Sequence, residues 1–289
     1  MRTTALGTTG ITIPIHGFGA MPLSIQGRPD EATAKGVLHA AIDAGMTLVD
    51  TANVYCIDDD DIGHNERLIA SVLAERDDRD RIVVATKGGL RRPRGAWLCD
   101  GAPKKLRLAC EASLRALEVE RITLYQFHAP DPDVAFETSV EELARLRDEA
   151  KIAHVGLSNV SVAQLRSAQT IVPVVSVQNR FSPWFREAEE NGVIAECERA
   201  RLTFLAYSPL GGKRLSARIG SIPSLVAIGH EHGVTPEAVT LAWGRAKGSC
   251  VVPIPGASRV DHALDSARAM LVELTPEQVA RIDAERFAT

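Results

Sequence analysis

From about residue 30 the chain alternates between two hydrophobic rhythms. Apolar residues three or four positions apart predict amphipathic helices, and short unbroken apolar runs predict strands. Asp30 is placed to cap a helix with Val37, Leu38, Ala41 and Ile42 on its apolar face, and Gly45 to end it in a left-handed conformation. The run Met46-Thr47-Leu48-Val49 is the strand that follows. Leu68, Ile69, Val72 and Leu73 mark a second helix, and Ile82-Val83-Val84-Ala85 the next strand. Pro103 opens a third helix, with Leu106, Cys110, Leu114 and Leu117 on one face. A strand over 122–127 and a helix around Val140, Leu143 and Leu146 come next.

The alternation continues with strands at 152–157, 174–178, 202–207 and 250–253 and helices at 161–169, 186–200, from Thr235-Pro236-Glu237 and from about Val260. The segment 15–19 supplies an eighth strand. Residues 1–14 read as a hairpin around Gly7-Thr8-Thr9-Gly10, and Thr275-Pro276 begins a last helix. Continuous apolar strands suit a parallel sheet covered on its outer face. Eight strand–helix units fit either a (β/α)8 barrel or a doubly wound sheet. The doubly wound dinucleotide fold needs a glycine-rich fingerprint after its first strand, and Gly17-Phe18-Gly19 runs into Met21-Pro22 without a third glycine. A TIM barrel is therefore expected, as one domain over 1–289, since no compositional break marks a boundary.

Composition narrows the function classes only slightly. Of 289 residues 45% are hydrophobic and 24% charged, which is ordinary for a globular protein. A net charge of −4 offers no basic excess for nucleic acid, and no apolar stretch approaches the ~20 residues of a membrane helix. The N-terminus lacks the apolar core of a secretory signal. The five cysteines, an odd number without a CxxC pair, suit reduced thiols and a cytoplasmic location. The eight histidines show no H-E-x-x-H metal arrangement; His230-Glu231-His232 reads as a solvated helix face. Arg91, Arg92 and Arg94 read as a solvated basic loop.

Candidate chemistry lies at the strand ends. Asp50 closes one apolar run, Tyr55 follows in the loop, and Lys87 and His128 end the next two. In a barrel these positions surround one pocket. A phenol with a pKa near ~10 is a poor acid at neutral pH, but a nearby ammonium lowers that pKa. An aspartate holds the ammonium, and an imidazole can orient a carbonyl oxygen. The set is suited to protonating a carbonyl oxygen while a carrier delivers hydride to carbon. Singly, each residue also fits a plain structural role.

The strings around them carry a resemblance. Gly45-Met46-Thr47-Leu48-Val49-Asp50-Thr51-Ala52-Asn53-Val54-Tyr55, Thr86-Lys87-Gly88-Gly89 and Leu124-Tyr125-Gln126-Phe127-His128 resemble, in order, the catalytic segments of the aldo-keto reductases. The resemblance implies a carbonyl reductase, with Tyr55 as acid, Lys87 and Asp50 as its tuning partners and His128 as the orienting donor. It further implies a nicotinamide site in which Ser158, Asn159 and Gln178 hold the carboxamide and Tyr207 stacks on the ring. The glycines of Ser208-Pro209-Leu210-Gly211-Gly212 would let backbone amides approach the pyrophosphate, Gly19 and Ala20 are further cofactor-binding candidates, and Gly256, Ser258, Arg259, Asp265 and Ser266 belong to the adenosine end. Arg259 and Ser258 as binders of a 2′-phosphate imply NADPH, with NADH possible. The family often has a basic residue where Gly256 stands and Glu-Asn where Asp265-Ser266 stands.

Met21, Cys56 and Trp97 are candidate walls of a pocket for a small-molecule carbonyl substrate. Cys56 reads as a small buried side chain rather than an oxidation-sensitive thiol. The run Asp58-Asp59-Asp60-Asp61 reads either as an acidic turn whose last residue caps the next helix, or as an attractor of cationic substrates. Members of the resembled family with a long C-terminal loop use it to shape their pocket; this chain stops soon after its last helix, so the resemblance implies a more open pocket mouth. Two rival functions remain at this point: a nicotinamide-binding regulatory subunit, and a lyase or isomerase using Lys87 as a Schiff base.

Overall fold

The computed structural model describes residues 2–288. Eight parallel strands run β1 (Phe18–Gly19), β2 (Leu48–Asp50), β3 (Val83–Gly88), β4 (Ile122–Phe127), β5 (Ile152–Ser158), β6 (Val174–Arg180), β7 (Thr203–Tyr207) and β8 (Val251–Pro253). They are neighbours in that same order across one sheet. The sheet closes on itself through main-chain bonds between its first and last strands: Gly17 N donates to Pro253 O and Gly19 N to Pro255 O, each at 2.9 Å. This is the expected (β/α)8 barrel.

Glycine on both sides permits that seam. A Cβ on Gly19 would stand 2.8 Å from Ile254 O, and one on Gly256 would stand 2.8 Å from Gly19 O and against the ring of Pro22. Any larger side chain at either position would force the seam open.

The helices that cover the barrel are α1 (Glu31–Asp43), α2 (His64–Ala74), α3 (Pro103–Leu117), α4 (Phe136–Asp148), α5 (Val162–Gln169), α6 (Val193–Ala200), α7 (Pro236–Ala246) and α8 (Val260–Arg268). Asp30 caps α1 by accepting from Thr33 N, and Thr235 caps α7 by accepting from Ala238 N, as their sequences dictate. The continuous helix expected over 186–200 is broken. A single turn, Glu187–Glu190, ends at Asn191, and left-handed Gly192 restarts the chain into α6. The segment 15–19 is extended in the sheet only at Phe18–Gly19. The capping role expected of Asp61 is not realised either. The residue preceding α2 is Gly63, without a side-chain cap, while Asp61 Oδ2 accepts from Arg28 Nη1 at 2.5 Å.

Thr3–Ala5 and Thr12–Pro14 form the N-terminal hairpin. Its Leu6 and Ile13 pack with Leu48, Ala85, Leu124, Val175, Leu205 and Val252, side chains of six of the eight barrel strands. The hairpin thus stoppers the amino ends of the strands, leaving their carboxyl ends for a site.

Inside the barrel the side-chain period of two decides the chemistry. The inward positions change from apolar to polar toward the carboxyl ends: Leu48 then Asp50, Ala85 then Lys87, Leu124 then Gln126, Leu205 then Tyr207. On β6 an irregularity between Val174 and Ser176 turns Ser176 and Gln178 into register with Gly156 and Ser158. The outward positions, among them Val49, Tyr125, Phe127, Leu157 and Phe204, join the larger core beneath the helices. Among the described residues no helix is long and apolar enough to cross a membrane.

Candidate active site

Lys87 is the hub. Its Nζ is fully buried and donates to Asp50 Oδ1 at 2.5 Å, Thr51 O at 2.9 Å and Tyr55 OH at 2.9 Å. Three ammonium protons thus meet three acceptors. The strand ends of β2 and β3 supply the ion pair, and the turn after β2 folds Tyr55 back over it, with Tyr55 N bonded to Ala52 O. His128 follows β4, where its main-chain N–H reaches Gly88 O at 2.9 Å. Its ring stands 5.9 Å from that of Tyr55 and nearly perpendicular to it. All four residues named from the sequence come together.

The other oxygen of Asp50 carries a contact that the sequence did not reveal. Asp50 Oδ2 accepts from Gln178 Nε2 at 2.7 Å and Gln126 Nε2 at 3.1 Å, and Gln178 Nε2 also reaches Gln126 Oε1 at 3.1 Å. Two neutral amides hold the carboxylate without neutralising it, so it remains the counter-ion of Lys87. Gln126 crosses the barrel beside Gly156, where an added Cβ would stand 2.8 Å from its Cγ. The signal was present in its inward parity with Lys87, its partner in register.

Burial governs the protonation states. It pushes the Tyr55 phenol well above its ordinary value, and the negative charge of Asp50 adds to the rise. The sequence-based expectation of a lowered phenol pKa is therefore reversed: the ammonium that would lower it is itself balanced by Asp50 at 2.5 Å. Burial lowers Lys87, with Asp50 opposing. Burial, followed by the charge of Lys87, holds the His128 imidazole well below its usual value, so the ring is neutral at neutral pH. His128 Nδ1 is buried without a partner.

Next to this set lies a second cluster of polar groups. Tyr207 OH donates to Asn159 Oδ1 at 2.9 Å, while Asn159 Nδ2 donates to His128 O at 2.9 Å and Ser158 Oγ at 3.2 Å. Asn159 holds φ of 58° and Ser208 φ of 48°, left-handed values that non-glycine residues adopt rarely. Gly211 and Gly212 follow, also left-handed, with Leu210 packed against the core. The main-chain N–H of Ala20 is engaged by Asp50 O at 2.9 Å.

At the start of α8 no side chain caps the free amides. Ser258 is half-buried and Gly256 is exposed. Exposed Arg259 forms a two-pronged pair with Asp261, at 3.0 and 2.8 Å. Asp265 and Ser266 are held elsewhere: Asp265 Oδ2 accepts from Thr235 Oγ1 at 2.6 Å, and Ser266 is buried with its carbonyl 3.5 Å from His16 Nδ1.

Of the candidate pocket walls, Trp97 is 43% exposed and its ring meets Tyr55 at 6.2 Å and His128 at 6.4 Å. Met21 packs at half burial with Ala52, Val54 and Tyr55. The Cys56 thiol faces Val54 O at 3.3 Å, is fully buried, and is pushed up by that burial to about 11. It belongs to the packing beneath the turn rather than to a pocket wall.

A strand-end acid, phenol, ammonium and imidazole at the carboxyl face of a parallel barrel define a class of protein. The sequence profile of the aldo/keto reductase family matches residues 17–286, and the chain belongs to that family. A thermostable aldo-keto reductase, Tm1743, solved with the inhibitor epalrestat, is 28% identical, with 98% of this chain and 99% of that one covered and a TM-score of 0.81. A glycerol dehydrogenase from Gluconobacter oxydans, AKR11B4, shares the fold at 24% identity, with 97% and 94% covered and a TM-score of 0.85. An aldo/keto reductase from Klebsiella pneumoniae, solved with NADP and acetate, does so at 23% identity, with 98% and 95% covered and a TM-score of 0.82.

Proposed function

We propose that this protein reduces an aldehyde or ketone to an alcohol with NADPH, Tyr55 serving as the general acid. One observation carries the reading: the Tyr55 hydroxyl, kept protonated by burial, is the third partner of an ammonium already paired with Asp50. Lys87 stabilises the phenolate that forms when Tyr55 gives up its proton, and Asp50 keeps Lys87 charged and aimed. His128 is neutral, so it orients the carbonyl oxygen by one donated hydrogen bond and does not compete as an acid. An amine whose three protons are all donated to fixed acceptors is poorly placed as a Schiff-base nucleophile.

The residues fit a nicotinamide cofactor. Ser158, Asn159 and Gln178 offer hydroxyl and amide groups to a carboxamide, and Gln178 is engaged through its Nε2 alone, which leaves its oxygen as acceptor. Tyr207, half-buried and fixed by Asn159, offers a ring face. The uncapped amides of α8 suit a phosphate. When bound, the cofactor supplies hydride to the carbonyl carbon.

Arg259 is the candidate for the 2′-phosphate of NADPH, the cofactor with which similar aldo-keto reductases have been solved. Its pair with Asp261 is exposed and therefore weak, so a phosphate dianion can displace it. Titration followed by nicotinamide fluorescence should show NADPH binding tighter than NADH. Arg259→Ala should weaken NADPH about tenfold and leave NADH within twofold, whereas Asp261→Asn should tighten NADPH. Equal loss of both nucleotides in Arg259→Ala would remove the 2′-phosphate assignment. Turnover of a generic aldehyde separates the enzyme from a binding subunit.

A further inference from the structure

Two charged motifs in the sequence, the arginine cluster and the acidic run, have no part in the chemistry above. The structure joins them. Arg92, expected in a solvated loop, is 2% exposed. Its guanidinium donates to Gln26 Oε1 at 2.7 Å, Gly95 O at 2.6 Å and Cys56 O at 3.3 Å. Its main-chain N–H donates to Asp59 Oδ1 at 2.8 Å. Gln26 in turn donates to Ile57 O at 2.7 Å, and Asp61 holds Arg28. The loops after β1, β2 and β3 are thus tied to one another through a single buried guanidinium.

The face of that guanidinium lies 3.7 Å from the centre of the Trp97 ring. Trp97 also makes edge contacts with the rings of Tyr55 and His128. Leu90–Arg91 and Leu98–Cys99 pair as a short hairpin that carries Arg92 and Trp97 between its strands. Stacking on a planar cation that is itself fixed by three acceptors holds the indole against the two rings that would meet a carbonyl. The same loops carry three large apolar side chains exposed to solvent, Ile57 at 36%, Trp97 at 43% and Leu98 at 41%. Of the four aspartates in the acidic run, Asp59 and Asp61 are engaged within the clamp rather than turned to a cationic ligand.

We infer that Arg92 is a positioning residue that seats Trp97 as a fixed wall of the pocket, and that this wall selects flat apolar carbonyl compounds, aryl aldehydes above all, over small aliphatic or polyhydroxylated ones. The substrate class rests on the carbonyl-reduction reading; the seating of Trp97 does not. Arg92→Lys keeps the charge but loses the planar fork and the stacking face. Trp97→Ala removes the wall itself.

The test measures kcat and KM for benzaldehyde and for propanal in both variants, together with NADPH affinity and acrylamide quenching of tryptophan fluorescence. Trp184 and Trp243 are buried, so quenching reports mainly on Trp97. Arg92→Lys should raise quenching, and both variants should raise the KM for benzaldehyde about tenfold relative to that for propanal while NADPH affinity changes less than twofold. Unchanged quenching in Arg92→Lys overturns the seating. An unchanged benzaldehyde-to-propanal ratio in Trp97→Ala overturns the wall. If the unaltered protein binds NADPH but turns over neither aldehyde, the carbonyl-reduction reading fails and the substrate class with it, while quenching still decides the seating.

Discussion

Tyr55→Phe should lower kcat for carbonyl reduction about a thousandfold and leave NADPH affinity within threefold. The substitution removes one oxygen and little else. Phenylalanine keeps the ring contacts with Trp97 and His128, and Lys87 keeps Asp50 and Thr51 O as acceptors. The fold should therefore be intact, and the loss should fall on kcat, because a proton donor acts in the transition state rather than in binding. A loss of less than tenfold would move the acid to another group. A matching loss of NADPH affinity would mean that the phenol organises the cofactor site instead.

Lys87→Met should be as damaging to activity, and it should also destabilise the fold. It strands Asp50, a buried carboxylate whose other partners are two neutral amides. Removing one member of a buried ion pair costs about 3–5 kcal/mol, and the amide donors place this case toward the lower end. The double variant Asp50→Asn, Lys87→Met removes the stranded charge. It should recover most of the lost stability, read as the midpoint of denaturant unfolding, without recovering turnover. Recovery of neither would mean that Lys87 acts chiefly through packing. Recovery of turnover would show that the charge on Lys87 is not needed by Tyr55.

The elements and the four central residues were legible because each depends on local pattern. Apolar runs ending in Asp50, Lys87 and His128 are visible in one dimension, and a parallel barrel brings all strand ends to one face. Gln126 was concealed by the same logic. Reading β4 as a continuous apolar run hides the fact that its inward position is polar, and its partners Asp50 and Gln178 lie 76 and 52 residues away. Arg92 shows the limit of reading charge clusters as solvated. Gln26 is 66 residues distant, and nothing local announces that a guanidinium will be enclosed.

The phenol was misjudged for a different reason. Charge pairs can be proposed from sequence, but burial is a property of the assembled barrel, and at Tyr55 burial is the larger effect. Asp265, expected at the adenosine end, is held instead by Thr235, the residue that caps α7.

The most direct measurement is the pH dependence of kcat/KM for reduction between pH 6 and 10. Tyr55 is held protonated above its ordinary range and His128 neutral below its own, so neither changes state there. The account predicts a flat profile for reduction through this range, with a decline only above it, where the phenol begins to ionise. A limb near pH 6.5–7.5 would contradict it, because the titrating group would then be an imidazole or an acidified phenol rather than the buried, protonated Tyr55.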